Sequence, residues 1–282
     1  MTFSHAAADI YVPDGTPPDR ALARTTHLCL GAHQDDIEIM AHAGIAECYR
    51  SPVRFFTGVV VTDGAGAPRA GRYARFDDAK MKEVRREEQR AAAALGKYNL
   101  QLQLAHPSAE VRKRGSPGVT ADLDAIFGAC LPEVVYLHNP ADKHDTHIAV
   151  LLRCLEALRV LPPARRPKRV LGCEVWRGLD WMTEADKVAL DAGQRPELAE
   201  ALIQVFDSQI AGGKRYDVAT IGRRAANATY DAPRQTDAVT AVTWAMDLSP
   251  LVADEKLSIT DYTLGYVDRL RVDIAERLRR FS

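Results

Sequence analysis

The sequence has no apolar run long enough to span a bilayer, and its N-terminus lacks the basic stretch followed by an apolar core that a secretory signal needs. It also lacks any Cys-x-x-Cys pair. The five cysteines, Cys29, Cys48, Cys130, Cys154 and Cys173, are odd in number, scattered, and mostly set in apolar runs. They read as small buried residues in a reducing compartment. Together these absences lead us to expect a cytoplasmic protein. An excess of one charge is missing too: 37 Lys and Arg stand against 38 acids, a net charge of −1, so no global field draws the chain to nucleic acid or to an anionic membrane. The Walker lysine and the dinucleotide glycine spacing are absent, which weakens a nucleotide-binding reading, and there is no internal repeat or low-complexity segment.

What is present is an ordinary globular composition over 282 residues, 46% hydrophobic and 27% charged, enough for one large core. The most informative stretch is Leu28-Cys-Leu-Gly-Ala-His-Gln-Asp-Asp-Ile-Glu38. An apolar run ends abruptly in an imidazole and two adjacent carboxylates, and a second apolar pattern follows, Ile39-Met40-Ala41 to Ile45-Ala46. This reads as a buried strand, a tight turn and a helix. In open α/β sheets ligands gather outside the carboxyl ends of the strands, where His33, Asp35 and Asp36 would then sit. Imidazole and carboxylate are ordinary ligands of a divalent ion, and a catalytic zinc has three protein ligands and one open position. Adjacent side chains on a turning backbone point apart, so Asp35 and Asp36 should not both serve the metal, and one of them is free to act as a base. Taken alone, the same residues suit an Asp N-cap beside a structural histidine.

A second cluster, Val134-Val-Tyr-Leu-His-Asn-Pro-Ala-Asp-Lys-His-Asp-Thr-His147, repeats the pattern: an apolar run breaks into polar residues ahead of a helical segment, Ile148 to Leu158. His144 and His147 are three apart and share one side of a helix start. We expect His147 as the third ligand and His144 as a neighbouring cation or hydrogen-bond donor.

With both clusters in view, the chain resembles the PIG-L/LmbE-like family of metal-dependent N-deacetylases. The family's Ala-His-Pro-Asp-Asp signature reads Ala32-His33-Gln34-Asp35-Asp36 here, and its His-Pro-Asp-His reads His144-Asp145-Thr146-His147. The Arg-x-x-Glu helix between them is similar to Arg85 through Glu88, running on to Ala91-Ala-Ala-Ala-Leu95-Gly96, and Phe206-Asp-Ser-Gln209 echoes a later Ser-Gln element. The resemblance implies His33, Asp36 and His147 as zinc ligands, Asp35 as general base, His144 as the group stabilising the tetrahedral intermediate, and Arg85 facing the site. It further implies hydrolysis of the acetamide of an N-acetylated amino sugar or its conjugate by metal-activated water. Fe2+, Co2+ or Mn2+ suit the same ligands as Zn2+. Gln34 in place of Pro and Thr146 in place of Asp depart from the family pattern, leaving Asp145 as a poorly placed substitute for the carboxylate that would support the last histidine. The alternatives are an amidase acting on another N-acyl conjugate, thiol or peptide, and a noncatalytic metal- or sugar-binding relative.

In chain order we expect an α/β fold: a Rossmann-like parallel sheet flanked by helices, with a C-terminal helical or mixed extension. Residues 1–24, with Pro13, Gly15, Pro17 and Pro18, read as an extended lead-in without chemistry. Residues 25–180 read as the catalytic core and 181–282 as an extension packed on it. Strands alternating with helices, Pro52 to Val61, Asp77 to Leu95, Leu100 to Leu104, Val119 to Cys130 and Glu133 to His138, suggest right-handed βαβ units. Beyond a strand at Arg169 to Trp176, helices are expected at about Thr183 to Ala192 and Pro196 to Phe206, and helical spacing at Val252 to Arg280. The glycine-dotted loop from Gly64 to Arg75 suits a substrate lid, with Arg72 as a substrate contact. His42, on a helix that packs against the sheet, is expected to be structural. The oligomeric state is not legible; a homo-oligomer is compatible with the sequence.

Overall fold

The computed structural model describes residues 1–282. Eight strands form one sheet: β1 (Asp9–Tyr11), β2 (His27–Gly31), β3 (Phe56–Thr62), β4 (Leu100–His106), β5 (Val134–His138), β6 (Arg169–Cys173), β7 (Val188–Asp191) and β8 (Val242–Asp247). Their order is β1-β4-β3-β2-β5-β6-β8-β7. The five inner strands, β4 to β6 in that order, pair in parallel, and β1, β8 and β7 add antiparallel edges. Residues 1–24 and the C-terminal segment therefore both contribute strands to the same sheet as the expected core.

Twelve helices accompany the sheet. They are α1 (Pro18–Ala23), α2 (Asp36–Met40), α3 (His42–Cys48), α4 (Asp78–Leu95), α5 (Ser108–Arg112), α6 (Pro117–Ala129), α7 (Asp145–Arg159), α8 (Pro196–Gln204), α9 (Asp207–Ile210), α10 (Tyr216–Thr229), α11 (Ser249–Ala253) and α12 (Ile259–Phe281). Apolar residues on both faces of the inner strands feed two core clusters, one around Leu30, Leu102 and Leu151, the other around Ile37, Phe56 and Phe206. Parallel strands covered on both faces need that near-continuous apolar character.

Two differences from the sequence reading have simple causes. The single helix expected across Ile39-Met40-Ala41 to Ile45-Ala46 is broken at Ala41, whose backbone leaves helical geometry. The helix expected at about Thr183 to Ala192 is instead a short 3-10 turn followed by β7, because Val188–Asp191 pairs with β8. Strand β8 was not anticipated; its partners β6 and β7 are remote in sequence, so no local pattern announces it.

Strand order reverses between β2 and β5, with β3 and β4 wound to one side and β6 to the other. At such a switch point the two following loops separate and leave a crevice. Both histidine–carboxylate motifs of the sequence enter it, one after β2 and one after β5. The turn out of β2 is tight: a Cβ on Gly31 would stand 3.0 Å from the Asp36 Cβ, so glycine ends the strand.

Candidate active site

Asp36 is the first residue of α2 and is buried. Its Oδ2 accepts the His33 backbone N–H at 2.7 Å and lies 3.3 Å from His33 Nδ1 and 3.4 Å from His147 Nε2. His33 Nδ1 and His147 Nε2 are 3.2 Å apart. Three donors so spaced match one face of a tetrahedron around an ion with bonds of about 2.0–2.1 Å, whose edges are about 3.3–3.4 Å. Without a cation, two imidazole nitrogens and a carboxylate converge in a buried place, so the donor set fits a divalent metal.

The third imidazole near Asp36, His138, ends β5 with Nε2 at 3.5 Å from Asp36 Oδ2. That nitrogen already accepts the Ala32 N–H at 2.9 Å. With its lone pair engaged, His138 is a packing partner rather than a ligand: its ring stacks on His147 with centroids 3.9 Å apart. The sequence reading placed His138 only as the end of a strand. The carboxylate that it could not place behind the last histidine is Asp142, whose Oδ1 lies 3.6 Å from His147 Nδ1. Asp142 Oδ1 also accepts the His144 N–H at 2.9 Å, and Oδ2 the Trp176 N–H at 3.1 Å. The negative charge of Asp142 behind Nδ1 favours a proton on that nitrogen and leaves Nε2 turned toward Asp36. Asp145, considered for this support, instead begins α7.

The adjacent carboxylates differ in environment. Asp35 carries a positive φ of 89°, a conformation that costs a non-glycine residue roughly 1–3 kcal/mol and persists where surrounding contacts dictate it. Those contacts are Gln89 Oε1, which accepts the Asp35 N–H at 3.3 Å, and Arg85, whose Nη2 lies 3.4 Å from Asp35 Oδ2. Burial pushes the Asp35 carboxyl up to about 7, with Arg85 pulling it back and Asp36 adding to the rise. Burial acts on Asp36 in the same direction, but His147, His138 and His33 outweigh it and hold that carboxyl far below the usual range. One carboxylate is thus locked as an anion among the histidines, and its neighbour is poised to exchange a proton near neutrality.

Arg85, from α4, is buried and also donates to the Gln34 carbonyl oxygen and, at 3.3 Å, to Gln34 Oε1. Gln34 Nε2 donates to Gln103 Oε1 at 3.2 Å. The glutamine that stands where the family signature has proline is thus the link between the turn, α4 and β4. Arg85 does not pair with Glu88, whose carboxylate accepts the Ser208 N–H and hydroxyl, both at 2.6 Å.

His144 caps α7: its Nδ1 accepts the Thr146 N–H at 3.2 Å, which leaves the proton on Nε2. Burial, with His33 and His147 adding to it, lowers the imidazole to about 4. The capping bond turns the Nε2–H of His144 out as a hydrogen-bond donor beside His33 and His147. His147 shifts the opposite way: burial opposes its charge, but Asp36 and Asp142 prevail and raise it.

These groups open into a cavity of about 420 Å³. His33, Asp35, Asp36, Arg85 and His144 line its inner part. Its rim brings Arg112 and Ser108 from α5, Gly64 to Pro68 from the glycine-dotted loop, and Trp176, Gln209, Lys214 and Tyr216 from later in the chain. The Lys214 ammonium sits 4.9 Å from the Trp176 ring centroid, and Tyr216 meets the same ring edge-on. Arg72 is not brought to the cavity: it is exposed and ion-paired with Asp207. The carboxylate on α9 draws it away, and Arg112 stands at the rim in its stead. His42 is buried with Nε2 at 2.9 Å from the Gln194 carbonyl, away from the cluster.

Residues 28–158 match the family model PIG-L, described as GlcNAc-PI de-N-acetylase. No curated protein sequence matches the chain. Solved structures share the fold at low identity. An N,N'-diacetylchitobiose deacetylase from Pyrococcus horikoshii has a TM-score of 0.63 at 17% identity, over 82% of this chain and 86% of that one. The A40926 pseudoaglycone deacetylase has a TM-score of 0.56 at 16% identity, over 79% and 97%. GalB, the 4-carboxy-2-hydroxymuconate hydratase of Pseudomonas putida KT2440, also has a TM-score of 0.56, at 17% identity over 79% and 96%. Such identities carry the fold and not the reaction, as a hydratase among deacetylases makes plain.

Proposed function

We propose that this protein is a metal-dependent N-deacetylase acting on an N-acetylated amino sugar or its conjugate, a reading supported by the match of residues 28–158 to the PIG-L family model. The observation that carries the reading is the three-donor set His33, Asp36 and His147 at the floor of one cavity, lined by His33 and Asp36 together with the carboxylate of Asp35 and the donor His144. A divalent cation, for which Zn2+ suits the two imidazoles and one carboxylate, supplies Lewis acidity that acidifies water and polarises an acyl oxygen.

The chain's own residues do the rest. Asp35, deprotonated, takes a proton from the attacking water and passes it to the amine as the amide C–N bond breaks. Arg85, fixed by Gln34, holds the Asp35 carboxylate and keeps it from rotating toward the ligands. His144 donates its Nε2–H to the acyl oxygen as negative charge gathers there. His138 stacks on the His147 ring, and the Asp142 carboxylate stands behind its Nδ1 at 3.6 Å. At the mouth, Trp176 and Tyr216 offer aromatic surface to a sugar ring.

A second reading keeps the chemistry and changes the substrate. Arg112 and Lys214 stand at the rim without a carboxylate partner, which favours an N-acyl conjugate bearing a carboxylate or phosphate. The experiment is acetate release from neutral and anionic N-acetylglucosamine conjugates, with the protein stripped by chelator and then reloaded. Release that disappears on stripping and returns with Zn2+ is the expected result. Turnover that survives complete stripping would overturn the metal-dependent reading, and no acetate from any conjugate by the loaded protein would overturn the substrate class.

A further inference from the structure

Outside the cavity, His106 presents a buried nitrogen without a hydrogen-bond partner. His106 closes β4 and is wholly buried, with its Nε2 2.9 Å from Asp122 Oδ2. A carboxylate only accepts, so that contact places a proton on Nε2. Nδ1 faces Glu110 Oε1 at 3.4 Å and makes no hydrogen bond. A buried, unpartnered imidazole nitrogen and a carboxylate oxygen thus face each other at the buried end of the cluster, a pair that a cation can join.

His5 completes the group. Its Nε2 lies 2.9 Å from the other Glu110 oxygen, and its ring meets His106 edge to face with centroids 4.5 Å apart. One nitrogen from each imidazole and one Glu110 oxygen fall within 4.8 Å of one another. The neighbours are arranged as supports. Asp122 accepts from His106 and, through Oδ1, from the Ser4 N–H and hydroxyl, both at 2.8 Å; the Ser116 hydroxyl donates to Glu110 Oε1 at 3.0 Å. A carboxylate behind one imidazole and a hydroxyl on the ligating carboxylate form the outer shell that protein metal sites use.

We propose that His5, His106 and Glu110 form a second divalent-cation site that takes Zn2+ and ties chain segments together. The ion binds His106 Nδ1, His5 Nε2 and a Glu110 oxygen; His5 and Glu110 are partly exposed, so water reaches the fourth position. The site fastens the N-terminal segment to α5 and, through Asp122, to α6. Helix α5 carries Ser108 and Arg112 to the cavity rim, so the ion holds one wall of the mouth in place.

The test counts ions on the full chain. Chelator-stripped protein is titrated with Zn2+ against a chromophoric competitor, for the wild type, His5→Ala, Glu110→Gln, His147→Ala and the His5→Ala/His147→Ala double variant, with circular dichroism confirming the fold of each. The expected result is two ions for the wild type, one for each single variant and none for the double. Zn2+ should also raise the unfolding midpoint of His147→Ala and leave that of the double variant unmoved. A wild type with one ion, lost in His147→Ala and kept in His5→Ala and Glu110→Gln, would overturn the site and leave a plain ion-paired network. One ion lost in His5→Ala and kept in His147→Ala would support the site and overturn the metal centre in the cavity instead. No ion in the wild type overturns both.

Discussion

Two histidine–carboxylate clusters of the same donor composition lie beyond the carboxyl ends of parallel strands, and they differ in what surrounds them. His33, Asp36 and His147 open on a cavity, with a strained, buried Asp35 on one side and the His144 donor on the other. His5, His106 and Glu110 lie under the N-terminal segment, with Asp122, Ser4 and Ser116 filling the remaining hydrogen-bonding positions. Ligand type alone does not separate a catalytic centre from a structural one. The separation comes from a free proton acceptor, a donor aimed at open space, and room for a substrate.

The strongest way to break that comparison is to remove one ligand from each cluster. His147→Ala should lower kcat/KM on the order of 10³-fold or more, the loss of several kcal/mol of charge stabilisation, whereas His5→Ala should stay within about a factor of two to three, as for a substitution away from the chemistry. Equal losses in a steady-state assay would erase the distinction. Next in size is Asp35→Asn, for which kcat should fall roughly 10²- to 10⁴-fold while the ion count is unchanged. The supporting carboxylates come third: Asp142→Ala should weaken Zn2+ binding or activity by roughly 10- to 100-fold, and Asp122→Ala should weaken Zn2+ binding to the His5 cluster without a matching fall in kcat. Isothermal titration of each variant measures both. The smallest effect belongs to the rim: Arg112→Ala should raise KM for an anionic conjugate about tenfold or less and leave a neutral one nearly unaffected, the loss of one charge-assisted hydrogen bond. Equal KM changes for both conjugates would remove Arg112 from recognition.

The donor residues of the cavity cluster were legible in the sequence because each lies just after an apolar strand-like run, and the parallel sheet followed from the alternation of strands and helices. Asp142 was hidden by the loop that bears it: five residues before His147, it reaches the imidazole only because the chain folds back between β5 and α7. His138 was read as the end of a strand, since nothing local shows that β2 and β5 are neighbours. Lys214 and Tyr216 come from segments joined to the site by strands β6 and β8 and helix α10, contacts that no short window records. Arg72 misled for the same reason, because its partner Asp207 lies far along the chain. The N-terminal segment, read as a bare lead-in, supplies both strand β1 and His5. No helix is long and apolar enough to cross a membrane.

The central claim is a division of labour between two neighbouring carboxylates, Asp36 holding the metal and Asp35 moving the proton. The most direct measurement is the ion content and acetate release of Asp35→Asn beside Asp36→Asn, each compared with the wild type on the same N-acetylglucosamine conjugate. The account predicts that Asp35→Asn keeps the cavity ion and loses turnover, while Asp36→Asn loses the ion and turnover together. Near-normal acetate release from Asp35→Asn, or an ion that leaves with Asp35 and stays without Asp36, would contradict it.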